Sequence, residues 1–100
     1  MSFASREAIV EGDGSVELTF TAVGNAWLLR GASIIMDEPS AGTITASIGG
    51  QPIGVSYTPS LDYGVSDPRD TVPMGSTLTF TGSELTPRAG ITVVVSYDVA

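Results

Sequence analysis

A chain of 100 residues has room for one domain, spanning 1–100, and one sheet-on-sheet core. It contains no His, Cys or Lys, which excludes a Ser-His-Asp triad, a Cys-His pair, a Schiff-base or P-loop lysine and a zinc site. The net charge of −7 leaves no basic stripe for nucleic acid or an anionic membrane surface, and 42% apolar content places the chain well above the disordered regime.

The opening residues Met1-Ser2-Phe3-Ala4-Ser5-Arg6-Glu7 lack a basic segment followed by an apolar one, so no signal peptide is expected. Residues 1–5 are set apart as an N-terminal arm. Residues 6–10 read as the first strand of a hairpin whose turn is Glu11-Gly12-Asp13-Gly14. In 15–22, Val16, Leu18, Phe20 and Ala22 alternate with Glu17, Thr19 and Thr21, the period of a half-buried strand. Residues 26–36 are apolar and nearly continuous, predicting a long strand that is bent or bulged near Gly31, with Trp27 as a core anchor. Asp37-Glu38-Pro39-Ser40-Ala41-Gly42 ends it as a turn.

Residues 43–48 alternate again, with Ile44, Ala46 and Ile48 inward. Gly49-Gly50-Gln51-Pro52 turns the chain, and 53–57 return as the second strand of a hairpin. Residues 59–73 carry three prolines and three aspartates and read as the longest exposed loop. Leu78 and Phe80 point inward from the strand 77–81, and 82–90 read as a loop. In the last strand, Ile91, Val93, Val95, Tyr97 and Val99 share one face and Val94 sits on the other. Such a strand invites aggregation at an open edge and needs a central place in a sheet or a covering partner. The fold class expected is all-β: an antiparallel two-sheet β-sandwich of seven to eight strands, either jelly-roll or immunoglobulin-like.

Few residues offer chemistry. The carboxylates Asp37, Glu38, Asp62, Asp67 and Asp70 all lie in predicted turns, where Asp caps backbone amides, so no catalytic pair is expected. Asp62, Asp67 and Asp70 share a loop that a calcium ion could use, but the EF-hand spacing is absent and no metal or cofactor is expected. Of Trp27, Tyr57, Tyr63 and Tyr97, only Tyr63 reads as an exposed ring, a poor basis for a sugar-stacking platform. Arg30, mid-strand among apolar residues, either pairs with a neighbouring carboxylate or reaches across a subunit interface.

The alternating strand 15–22, then Trp27-Leu28-Leu29-Arg30-Gly31-Ala32, the short Thr/Gly-rich hairpins and the Val-rich strand 91–99 give a layout covering most of the chain. It resembles small all-β auxiliary virion proteins of tailed bacteriophages, the capsid decoration or cement type. The resemblance implies a non-enzymatic structural protein that stabilises a phage particle by binding its lattice. The partner is then the major capsid protein or another virion protein, and the location the virion, assembled in the host cytoplasm. A homo-oligomer, a trimer by preference, is expected, with Met1, Ser2, Phe3, Arg6, Arg30 and Tyr63 as candidate contacts. Two alternatives stand beside it: a tail or head-spike component, and a carbohydrate-binding or adhesion module using Tyr63 and the loop 62–70.

Overall fold

The structure, a computed structural model, describes residues 1–38, 42–57 and 71–99, with the backbone alone for 53–57. The strands are β1 (Ser2–Ile9), β2 (Val16–Thr21), β3 (Trp27–Met36), β4 (Thr43–Ile48), β5 (Gln51–Tyr57), β6 (Thr71–Val72), β7 (Thr77–Ser83) and β8 (Gly90–Val99). They form two antiparallel sheets, ordered β1-β8-β3-β6 and β2-β7-β4-β5. The pairs β1·β8, β2·β7, β3·β6 and β4·β5 join each strand of the first half to its mirror in the second. The chain is thus one long hairpin, folded at Gly49-Gly50 and rolled up, with β3·β8 and β4·β7 closing the sheets. This is the jelly-roll order, and it decides between the two topologies that alternation left open.

At the fold of the long hairpin, Gly49 (φ 57°) and Gly50 (φ 84°) both take left-handed backbone, as a tight two-residue turn requires. The turn is two residues rather than four, because β5 resumes pairing at Gln51, opposite Ile48.

The expected hairpin across 11–14 does not form. β1 and β2 lie in different sheets, and residues 10–15 arch over the end of the core. The reason is Val10, which is buried and bonded elsewhere: its N–H donates to the Ala89 carbonyl and its own carbonyl accepts from Arg88, both at 2.9 Å. Gly14 holds the other side of the arch at φ 84°, its carbonyl taking the Leu85 N–H at 3.0 Å. The 1–5 arm is also revised. From Ser2 onward it is the first half of β1, paired to β8 from Ser2↔Tyr97 to Ile9↔Gly90. Its inward residues Ala4 and Ala8 are too small to announce a buried face in the sequence.

β3 carries the expected irregularity. Leu29 pairs with Tyr97 and Gly31 with Ser96, so Arg30 is the extra residue of a bulge. The bulge matters because the apolar phase slips there: Trp27 and Leu29 face inward before it, Ala32, Ile34 and Met36 after it. Without it the second half would turn its core residues to solvent. β8, the apolar last strand, is central, flanked by β1 and β3. Within 59–73, Thr71 and Val72 form a short strand against Trp27 and Leu28, with Val72 buried; its prolines and aspartates masked that signal.

The core lies between the sheets around Phe20 and Phe80, whose rings meet edge to face at 6.0 Å. Trp27 and Tyr97 stack at 4.0 Å near one end, as their reading as core residues requires. Leu85 and Ala89 plug the other end from within the loop after β7. Phe20→Ala is expected to cost about 3–5 kcal/mol in urea unfolding. Gly14→Ala should cost at least about 1–2 kcal/mol, because its Cβ would also press on the Leu85 carbonyl oxygen at 2.9 Å.

Candidate functional site

The molecule measures 37 × 21 × 21 Å, its long dimension running with the strands, since ten residues of β3 or β8 span ~33 Å. The connections therefore collect at two ends, and these differ in chemistry. One end holds the arch 10–15, residues 37–38 and the loop 84–89. There, among the described residues, Glu11, Asp13, Asp37, Glu38 and Glu84 face a single cation, Arg88. The other end holds the loop 22–26, the turn 73–76, Gly49-Gly50 and the outer ends of β1 and β8. It exposes Met1, Val23 (80%), Met74 (64%) and Val99. The Gly75 N–H donates to the Ala22 carbonyl at 2.7 Å and the Ala22 N–H to Ser76 at 3.1 Å, which ties the loops bearing Val23 and Met74 together.

Ionised groups at this apolar end, among the described residues, are Arg30, Asp98 and the Met1 amine. The Arg30 Nε donates to Asp98 Oδ2 at 2.6 Å, and the amine lies 3.6 Å from Oδ1. The Arg30 hydrogen bond holds the Asp98 carboxyl below its ordinary value against partial desolvation, helped by the charges of Arg30 and the amine. Both side chains of the Arg30–Asp98 pair remain more than a third exposed, so the pair fixes geometry more than it stabilises.

The two outer sheet faces also differ. On β2-β7-β4 the outward rows are hydroxylic: Thr19–Thr79–Ser47 and Glu17–Thr81–Thr45. On β1-β8-β3 they read Glu7–Thr92–Ile35, Ser5–Val94–Ser33 and Phe3–Ser96–Gly31. This face has one carboxylate, Glu7, in its three rows. It projects Phe3 (68% exposed), Ile9 and Ile35 beside small residues. A depression of about 130 Å³ lies beside Phe3, floored by Gly31, Ser33, Val94 and Ser96. A larger one of about 530 Å³ lies toward the acidic end between Ile9, Ile35 and Asp37.

The six residues singled out from sequence do not form one site. Met1 and Arg30 meet at the apolar end, and Phe3 stands on the outer β1-β8-β3 face. Ser2 and Arg6 share the inward phase of β1 with Ala4 and Ala8; the Arg6 guanidinium sits 5.3 Å over the Phe20 ring and donates to the Ser5 carbonyl. An inward charge of this kind blunts an edge strand. Tyr63 and the calcium candidates Asp62, Asp67 and Asp70 lie outside the described residues, as does the side chain of Tyr57. The Trp27 ring is buried and stacked on Tyr97.

Two described turn carboxylates, Asp13 and Asp37, accept backbone N–H groups; of the candidates, Asp62, Asp67 and Asp70 lie outside the described residues. Asp13 Oδ1 accepts from the Ser15 hydroxyl at 2.6 Å and the Ser15 N–H at 3.0 Å, which holds its carboxyl below the ordinary range. Asp37 Oδ1 accepts the Gly90 N–H at 2.9 Å. Among the described residues no group of three or more Asp or Glu could hold a metal ion. Sequence reasoning missed Ile9, Ile35, Val23 and Met74. Val23-Gly24 and Met74-Gly75 were legible as apolar residues at turn glycines, where a side chain has no strand face to bury it.

Because the Asp98 value is lowered on folding, its contribution is present above the ordinary carboxylate pKa of about 3.9. It is lost as pH falls through the folded value. Asp98→Asn is expected to lower the melting temperature slightly at neutral pH, and the gap from wild type should close on acidification; calorimetry across pH checks both. The chain matches no protein-family model, no curated protein and no solved structure.

Proposed function

We propose that the protein is a structural virion component of the capsid decoration kind, standing on a protein lattice by its apolar end with its acidic end toward solvent. The observation that carries this reading is the separation of the two ends among the described residues: Met1, Val23, Met74 and Val99 exposed at one, five carboxylates against Arg88 at the other. Apolar side chains gathered at one end of a molecule mark a surface for a partner. An acidic outer end keeps decorated particles apart in solution. The attachment involves no bond-making chemistry, in keeping with a chain that lacks His, Cys and Lys. Met1 and Arg30, singled out from sequence, border the attaching end, and Arg30 is held by Asp98 in a fixed orientation there.

The test is direct. An antibody against the chain should label intact particles purified from lysates of the source cells in a regular, saturating pattern. Val23→Asp combined with Met74→Asp should abolish rebinding to particles stripped of the protein while leaving the circular dichroism spectrum unchanged. Particles that carry no copy of the chain overturn the reading, and label confined to tails would move the lattice from capsid to tail.

A further inference from the structure

The geometry points to a second copy of this chain as the occupant of the outer face of β1-β8-β3, in a two-fold dimer whose axis runs along β8. This inference stands on the face alone and does not depend on the lattice reading.

Area comes first. The long side of the molecule, 37 × 21 Å, is on the order of 800 Å², the share each partner brings to a standard-size interface. Either end, 21 × 21 Å, offers about half of that and is too small for a stable pair by itself.

Charge comes second. Two copies that each carry −7 repel, and contact is least costly where carboxylates are fewest. The rows Glu7–Thr92–Ile35, Ser5–Val94–Ser33 and Phe3–Ser96–Gly31 contain one, as do the hydroxylic rows of the opposite sheet, so charge admits either broad face and excludes the acidic end. Relief decides between possible partners. An isologous contact needs a surface that fits itself. Rotation about β8 exchanges β1 of one copy with β3 of the other at the same height along the strands. Phe3 then comes down over Gly31 and Ser96 of the partner subunit, where the small side chains leave the depression of about 130 Å³. The same rotation lays Val94 on Val94. An axis across the strands would instead set Phe3 against the partner's Glu7, so the axis along β8 is the one the relief selects.

Sheets packed this way run aligned, about 10 Å apart. Both apolar ends then point the same way, and both acidic ends lie side by side. Glu7 faces the partner's Ile35, and in the row beyond Ser96 the Asp98 carboxylate, held by Arg30 of its own chain, meets the partner's Asp98 across the axis.

The first experiment is light scattering on a sizing column at micromolar protein, where the mass should be twice 10.3 kDa. Phe3→Asp should weaken dimerisation at least about thirtyfold, the scale of an interface hot spot, with an unchanged melting curve for the monomer. Glu7→Leu should tighten it, and so should added salt, which screens the adjacent acidic ends. Because the chain has no cysteine, Val94→Cys should crosslink to itself with a short bismaleimide, and Thr19→Cys on the opposite sheet should not. A monomer at tens of micromolar, a trimer, a dimer indifferent to Phe3→Asp, or Thr19→Cys crosslinking as well as Val94→Cys each overturns the proposal. Val23→Asp with Met74→Asp should stay dimeric, which separates this result from failure of lattice attachment.

Discussion

A strand that reads Ile91-Thr92-Val93-Val94-Val95 buries one side completely and carries a valine at the middle of the other, and the rest of the molecule is arranged around that fact. Its inward residues Ile91, Val93 and Val95 are buried between the sheets, where β-branched side chains fill the layer around Phe20 and Phe80. Both of its backbone edges are occupied, by β1 along ten-residue β8's first eight positions and by β3 on the other side. β3 reaches that pairing only because the bulge at Arg30 restores its apolar phase. The same displaced residue then turns its guanidinium to Asp98 on β8, so the irregularity that repairs the core also pins the strand end. What remains of β8 is its outer side, centred on Val94 between Thr92 and Ser96.

The strands themselves were legible in the sequence wherever alternation was strong. Val16, Leu18, Phe20, Ile44, Ala46, Leu78 and Phe80 all face inward as their spacing requires. Strand order was not, because period-2 patterning says which face is buried and nothing about which neighbour lies alongside. The Glu11-Gly12-Asp13-Gly14 stretch shows the difficulty. Its glycines meet the local demands of a hairpin equally well as those of an arch, and the decision came from Val10 bonding to a loop nearly eighty residues later in the chain. β6 was hidden for the converse reason, since two residues are too few to show a period.

The candidate surfaces were less legible than the fold. Phe3 and Arg30 were visible as residues out of place, an aromatic near a terminus and a cation in an apolar strand. Their separation into different surfaces depends on the phase of β1 and on the bulge in β3. The charge asymmetry between the ends is invisible along the sequence, where Glu11, Asp37 and Glu84 lie far apart. It follows from topology: every connection that crosses between sheets must surface at one end or the other, and the antiparallel order sends these acids to the same one.

The rolled hairpin also dictates when the protein can exist. β8 sits between β1 and β3, so the first sheet cannot assemble until the last strand has left the ribosome. A nascent chain stopped before residue 90 still holds the whole of β2-β7-β4-β5, but β1 and β3 have no partner between them. Non-local pairing of this kind makes folding slow relative to local folds of the same size. A truncated product lacks the centre of the first sheet and leaves the inner face of the second uncovered, and the outer row through Val94 is lost with it.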